Sequence, residues 1–280
     1  RVLYEKNADE RREVASITKL MTALLVLEAL DRDEIALTDS VQISPRAAAM
    51  KGSQALLDAS AVYPLEDLLR TTIMASANDS AVALSEYIAG SEENFVDRMN
   101  RRAAELGMTN TNYVNCTGYP QSGQYTTARD VCRLCCEIAK HPRYNQYASV
   151  WIDKLTHPGG RVTDLTNTNR LVRFYEGCDG YKTGSTDAAK YCLAATAEKN
   201  GMRLVAIVLG TPVSQTRFNE ARQMLDYGFA TYRRVVIANK GDLLGQNVEV
   251  RGGSAESVPL ALGSGLSMLL KNGQQSGLSL

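Results

Sequence analysis

Apolar positions along the chain follow one rhythm in its first half and another later. Between Ser16 and Leu30, Leu20, Leu24 and Leu27 recur at helical spacing while Leu25 lies on another face. That pattern predicts a helix apolar nearly all round, and such a helix is buried. Val62–Leu69 and Asn78–Ile88 also read as helices, the second with Ala81, Leu84, Tyr87 and Ile88 as its apolar set. Phe95–Leu106 is amphipathic and stops at Gly107, and Thr127–Ala139 is a further helix. Arg1–Tyr4 reads as part of a strand running into the polar turn Asn7–Glu10. The rhythm then shifts: Cys178–Ser185, Ala189–Ala197 and Met202–Gly210 read as strands, with Asp187 and Asn200-Gly201 as turn signals. Phe218–Tyr232 returns to helix, and after Arg234 short strands (Val235–Ala238, Val248–Val250, Val258–Ala261) are joined by Ser/Gly-rich links.

Hairpin-linked strands grouped after a helical block argue for an α+β fold rather than a parallel βαβ series. The expected division is a main domain over 1–235 and the start of a small β-rich module over 236–280. A length of 280 residues with 44% hydrophobic content supplies ample core. The 31 basic and 31 acidic residues cancel, which disfavours nucleic acid as a partner. No run approaches the ~18 apolar residues of a membrane span. The chain opens on Arg rather than Met, so it reads as trimmed or processed.

The six cysteines are Cys116, Cys132, Cys135, Cys136, Cys178 and Cys192. Cys132 and Cys136 share a helical face at i,i+4, but a metal site needs further ligands, so small buried thiols are the simpler reading. Cys178 and Cys192, on adjacent expected strands, are candidates to pair across the hairpin.

Three short motifs occur in order: Ser16-Ile-Thr-Lys19, Ser76-Ala-Asn78 and Lys182-Thr-Gly184. At i and i+3 on a helix, an ammonium reaches a hydroxyl. A serine hydroxyl is a poor nucleophile without a base, and a lysine serves as one only if its pKa falls from ~10.4 toward neutrality. Burial lowers it, as does a second cation, for which Lys182 is the candidate. Placed at a helix N-terminus, Ser16 also meets free amides that favour an oxyanion. Read structurally, Ser16 is a cap, Ser76 or Asn78 caps another helix, and Lys182 guards an edge strand. Read chemically, Ser76 relays a proton to a leaving amine and Asn78 holds the substrate backbone and the lysine. Lys182 and Thr183 then hold a carboxylate, and Gly184 admits an extended chain along the strand.

Together the motifs resemble those of penicillin-binding proteins and class A β-lactamases. The segments Tyr4–Ala8, Ala15–Thr22, Ser76–Ala81, Phe95–Asn100, Leu106–Thr111, Tyr125–Asp130 and Asp179–Gly184 narrow the resemblance to the low-molecular-mass D-Ala-D-Ala carboxypeptidases, the class of penicillin-binding protein 5. It implies a β-lactamase/DD-peptidase-like domain: an antiparallel sheet flanked by helices, with a helical subdomain. It implies Ser16 as the acylated nucleophile, Lys19 as base, Ser76 and Asn78 as the second motif, and Lys182, Thr183 and Gly184 as the third. The amides of Ser16 and Ser185 would form the oxyanion hole, and Arg217 would help hold the terminal carboxylate. No cofactor and no metal is implied. The implied partners are a peptidoglycan stem peptide ending in D-Ala-D-Ala and β-lactam antibiotics, in the cell envelope outside the cytoplasm. The family's first strand would precede Arg1, and its membrane-anchoring helix would follow Leu280.

Asn115-Cys-Thr-Gly-Tyr119 departs from the family's usual Gly-Leu, and Ser185 stands where some relatives carry His. Two alternatives stay open. A β-lactamase of class A would add a Glu-x-x-Leu-Asn run, which this chain lacks; a non-catalytic peptidoglycan-binding protein would need neither nucleophile nor base.

Overall fold

The computed structural model describes residues 1–274. Contacts divide the chain into two units: Arg1–Glu198 with Arg203–Leu225, and Lys199–Met202 with the residues from Asp226 onward.

The first unit is built around α1 (Lys19–Asp31), entered through a 3-10 turn, Ala15–Thr18. Leu20, Met21, Leu24, Val26 and Leu27 are all buried, as expected for a helix apolar on every face. The chain continues through β1 (Ser40–Gln42), α2 (Pro45–Ala48), β2 (Val62–Pro64), α3 (Leu65–Met74), α4 (Asn78–Ala89), α5 (Glu92–Glu105), α6 (Ala128–Ile138) and α7 (Pro142–Ala148). Helices α3, α4, α5, α6 and α7 all pack against α1. Side-chain caps define several starts: Ser44 accepts from the Ala47 amide, Ser91 from Asn94 and Thr127 from Asp130. Each such cap is worth about 1 kcal/mol.

Then come the hairpin β3 (Ile152–Thr156) and β4 (Val162–Thr166), the short α8 (Leu171–Phe174), and the sheet of β5 (Cys178–Thr186), β6 (Lys190–Lys199) and β7 (Met202–Thr211). Strands β5 and β6 are antiparallel, with Lys182 opposite Ala194 and Gly184 opposite Cys192. Asn200 and Gly201 both take positive φ at the β6–β7 turn, which suits the right-handed twist of a hairpin. Helix α9 (Ser214–Thr231) follows.

In the second unit, β8 (Tyr232–Ala238) pairs antiparallel with β11 (Leu266–Lys271), and β9 (Leu243–Glu249) with β10 (Ser257–Ala261). Of the expected β-rich module over 236–280, residues 275–280 lie outside the described residues. No described helix is long and apolar enough to cross a membrane.

Several expectations need correction. Arg1–Tyr4 forms no strand, and Val2 and Tyr4 are exposed. Val62–Leu69 is not one helix: Val62–Pro64 pairs with β1, and the helix begins at Leu65. Pro64 lacks the donor a helix interior needs, and it pushes Tyr63 toward extended backbone. Phe218–Tyr232 is entered earlier, at Ser214, and Tyr232 already belongs to β8. All six cysteines are free; Cys178 lies opposite Ala197, and Cys192 opposite Gly184, so the two are far out of register for a bridge.

Candidate active site

Ser16 sits in the 3-10 turn and Lys19 opens α1, so one helical turn separates them. Lys19 Nζ lies 2.9 Å from Ser16 Oγ and donates to the Thr117 carbonyl at 2.8 Å. Lys19 is 1% exposed, and burial drops its pKa to about 7, against smaller upward pulls from Cys116 and Asp79. The residue before the serine, Ala15, is held at φ +50°, a conformation that costs a non-glycine residue on the order of 1–3 kcal/mol. The surrounding contacts impose it.

Those contacts come from residues 115–118. Thr22 Oγ1 donates to the Cys116 carbonyl at 2.6 Å, one turn along α1 from Lys19. Gly118, at φ +77°, lies so near the turn that a Cβ there would stand 1.9 Å from the Ala15 carbonyl oxygen. Asn115 Oδ1 accepts from the Thr117 and Gly118 amides and fixes the bend. These are residues that motif reading missed, because a backbone carbonyl carries no side-chain signature.

The second motif lies at the α3–α4 junction. Ser76 is buried at φ +64°, and Asn78 is the first residue of α4. Neither caps that helix by its side chain: the N-cap is Ala77. Asn78 does not hold Lys19 as expected. Its Nδ2 donates to the Lys51 carbonyl and its backbone amide to the Ser53 carbonyl, and its buried Oδ1 has no protein partner. Asp79, fully buried, accepts from the amides of Ala55, Leu57 and Ser80 and so fastens the 53–57 segment to α4.

The third motif runs along β5, which packs on the 3-10 turn. Gly184 does the work of close approach, but its neighbour is the turn itself: an added Cβ would stand 2.3 Å from the Val14 carbonyl and 3.1 Å from the Ser16 amide nitrogen. Lys182 is 1% exposed, so it is no edge-strand guard; burial lowers its pKa well below normal, with Lys19 and Arg217 adding to the effect. Burial, one of the two expected causes, depresses Lys19, and the mutual repulsion of Lys19 and Lys182 falls on Lys182. Thr183 Oγ1 donates to Thr168 Oγ1 at 2.7 Å, and the Thr168 amide donates to the Met74 carbonyl. Thr168 therefore ties the third motif to the end of α3, just ahead of the second. Ser185 is exposed at the sheet's end.

Arg217, on α9, is 8% exposed rather than a surface residue. Its Nη1 donates to the carbonyls of Gly184 and Cys192 at 2.9 and 3.0 Å, and the guanidinium lies over the rings of Tyr191 and Phe218. Arg222, near it in sequence, is elsewhere and reaches the Phe174 carbonyl.

Comparison with known proteins gives this arrangement relatives. The family described as D-alanyl-D-alanine carboxypeptidase matches residues 1–213. D-alanyl-D-alanine carboxypeptidase DacF of Bacillus subtilis is 39% identical over 274 residues, covering 98% of this chain and 70% of that protein. DacC of Escherichia coli is 34% identical over 290 residues, covering 99% and 70%. The crystal structure of penicillin binding protein 5 from Haemophilus influenzae superimposes with a TM-score of 0.84 at 32% identity, covering 99% of this chain and 80% of that one. The chain is thus a member of the D-alanyl-D-alanine carboxypeptidase family, serine peptidases with the fold of penicillin-binding protein 5.

Proposed function

We propose that this chain removes the terminal D-Ala from peptidoglycan pentapeptides through an acyl-Ser16 intermediate, and that β-lactams acylate the same serine. The observation that carries the reading is a buried lysine amine 2.9 Å from a serine hydroxyl, with a pKa near 7. At neutral pH a large fraction of Lys19 is the free amine, so it accepts the Ser16 proton as Oγ attacks the penultimate carbonyl. The oxyanion that forms is held by the amides of Ser16 and Ser185; the close approach of Gly184, the residue before Ser185, to the Ser16 turn supports this. Ser76 passes the proton to the departing D-Ala nitrogen as the C–N bond breaks. Water then attacks the ester as Lys19 takes its proton, and Lys19 returns that proton to Ser16 Oγ as the C–O bond breaks.

Substrate orientation follows from charge. In this reading Lys182, Thr183 and Arg217 hold the terminal carboxylate. Arg217 spends its Nη1 on two strand carbonyls, so it acts there chiefly through its charge. Asn78 Oδ1, buried and unpartnered, is suited to accept a substrate backbone N–H. A role on peptidoglycan implies a location in the cell envelope, and attachment to the membrane would come through a segment outside these residues.

Intact-mass spectrometry after incubation with benzylpenicillin, beside a Ser16→Ala control, tests the assignment. A stable adduct on the Ser16 peptide, absent from the control, is expected; release of D-Ala from a D-Ala-D-Ala peptide is the companion assay. Antibiotic consumed without an adduct would mark a β-lactamase, and antibiotic left intact would mark a non-catalytic peptidoglycan binder.

A further inference from the structure

Glu92 opens α5 and is only 7% exposed, an unusual place for a carboxylate. Its two oxygens are divided between two segments. Oε1 accepts from the Cys116 amide at 3.0 Å, and Oε2 accepts from Arg46 Nη2 at 2.6 Å. The first bond anchors the residue next to Thr117, whose carbonyl receives Lys19 Nζ. The second anchors α2, which leads directly into the Lys51 and Ser53 carbonyls that hold Asn78.

We infer that Glu92 is a positioning residue for acyl transfer: one carboxylate fixes both the carbonyl that orients Lys19 and, through Arg46, the segment that orients Asn78. The inference rests on Lys19 and Asn78 acting as proposed above. A neutral side chain with one acceptor would satisfy the Cys116 amide, so the second oxygen and the charge serve Arg46. Burial makes the arrangement stringent, because a bond lost there leaves a buried amide unpaired. Cys116 itself cannot compete as an anion, since burial and Glu92 push its thiol well above the normal range. Arg46 also pairs with exposed Glu93 at 3.0 Å, a bond open to solvent that holds less firmly.

The Thr117 carbonyl has a specific chemical job. By taking one N–H of the Lys19 amine it turns the lone pair toward Ser16. Lys19 is otherwise faced by Cys116, Asp79 and Lys182. If the 115–118 segment drifts, the amine loses its direction and water reaches it, which relieves the burial that lowers its pKa.

The test compares the wild type with Glu92→Ala, Glu92→Gln and Arg46→Met. Three readouts are taken well below melting: the benzylpenicillin acylation rate across pH, the Lys19 titration by NMR of 13Cε-lysine protein, and the melting temperature. Glu92→Ala is expected to slow acylation by ~10–100-fold, as a displaced catalytic group does. Its acid limb and its Lys19 midpoint should both rise by about half a pH unit or more as water enters. Glu92→Gln keeps an acceptor for Cys116, so it should recover the Lys19 midpoint, and it and Arg46→Met should both slow acylation by less than Glu92→Ala does. A Glu92→Ala protein that melts lower but keeps the wild-type rate and Lys19 midpoint would show a purely structural residue and overturn the inference. If the wild type itself is not acylated, the enzymatic reading fails. The NMR midpoint then still decides whether Glu92 positions Lys19.

Discussion

Arg217 Nη1 donates to the backbone carbonyl of Gly184 at 2.9 Å, joining α9 to the strand residue that lies against the Ser16 turn. A cation 33 residues away thus sets the position of the third motif as well as its charge. Replacing Arg217 with Leu leaves the Gly184 and Cys192 carbonyls short of a donor and removes the positive field. We expect kcat/KM on a D-Ala-D-Ala peptide to fall by ~10–100-fold, the equivalent of about 1.5–3 kcal/mol for bonds to a charged group. Steady-state kinetics on matched peptides with a free and an amidated C-terminus would check it, since only the free acid should lose that much.

Gly184 admits no side chain. The atoms an added methyl would meet are backbone, and backbone cannot rotate away. Gly184→Ala should therefore part β5 from the 3-10 turn, cost about 1–3 kcal/mol of stability, and slow acylation at least tenfold. Thermal melting and the benzylpenicillin adduct rate report the two effects separately; an unchanged rate would mean the Ser185 amide is not part of the oxyanion site.

The Lys19 pKa fixes the direction of the pH dependence. With Lys19 as the proposed base the working form is the free amine, so activity is expected above about 7 and should be lost as pH falls through that value. The log of kcat/KM should drop with a slope near one below the limb, and Lys19→Met should cost ~10²–10⁴-fold at every pH. A limb near pH 5 or near pH 10 in the wild type would sink Lys19 as the base.

Asp79 links two effects that separate by experiment. Asp79→Asn sets an amide N–H2 against backbone donors in a buried site, at a cost of about 1–3 kcal/mol. It also removes a negative charge that holds the Lys19 pKa up, so the acid limb should move to lower pH. Melting curves give the first, and the pH profile of acylation the second.

How much of this was legible in the sequence depends on distance along the chain. The Ser16/Lys19 pair was, because three residues of helix define its geometry. So were α4, α6 and the β5–β6–β7 hairpins, where periodicity or an Asn-Gly turn is a local signal. Val62–Leu69 misled because three strand residues end in the proline that caps α3, and an eight-residue window of mostly apolar positions spans both. The short β3 and β4 left little trace, since one face of that hairpin is exposed and its apolar residues are few.

The sequence by itself determined which chemistry was present: a serine, a lysine one turn away, and two further motifs in order. Only the tertiary structure decided how that chemistry is tuned. Lys19 reaches a near-neutral pKa because folding removes water from it, and the Thr117 carbonyl arrives from 98 residues away to accept from its Nζ. Glu92, Asp79, Thr168 and Arg217 hold backbone carbonyls and amides in place, and such contacts leave no pattern in a sequence. Burial and long-range hydrogen bonding belong to the folded chain, and they supply what the proposed roles of Ser16 and Lys19 as nucleophile and base require.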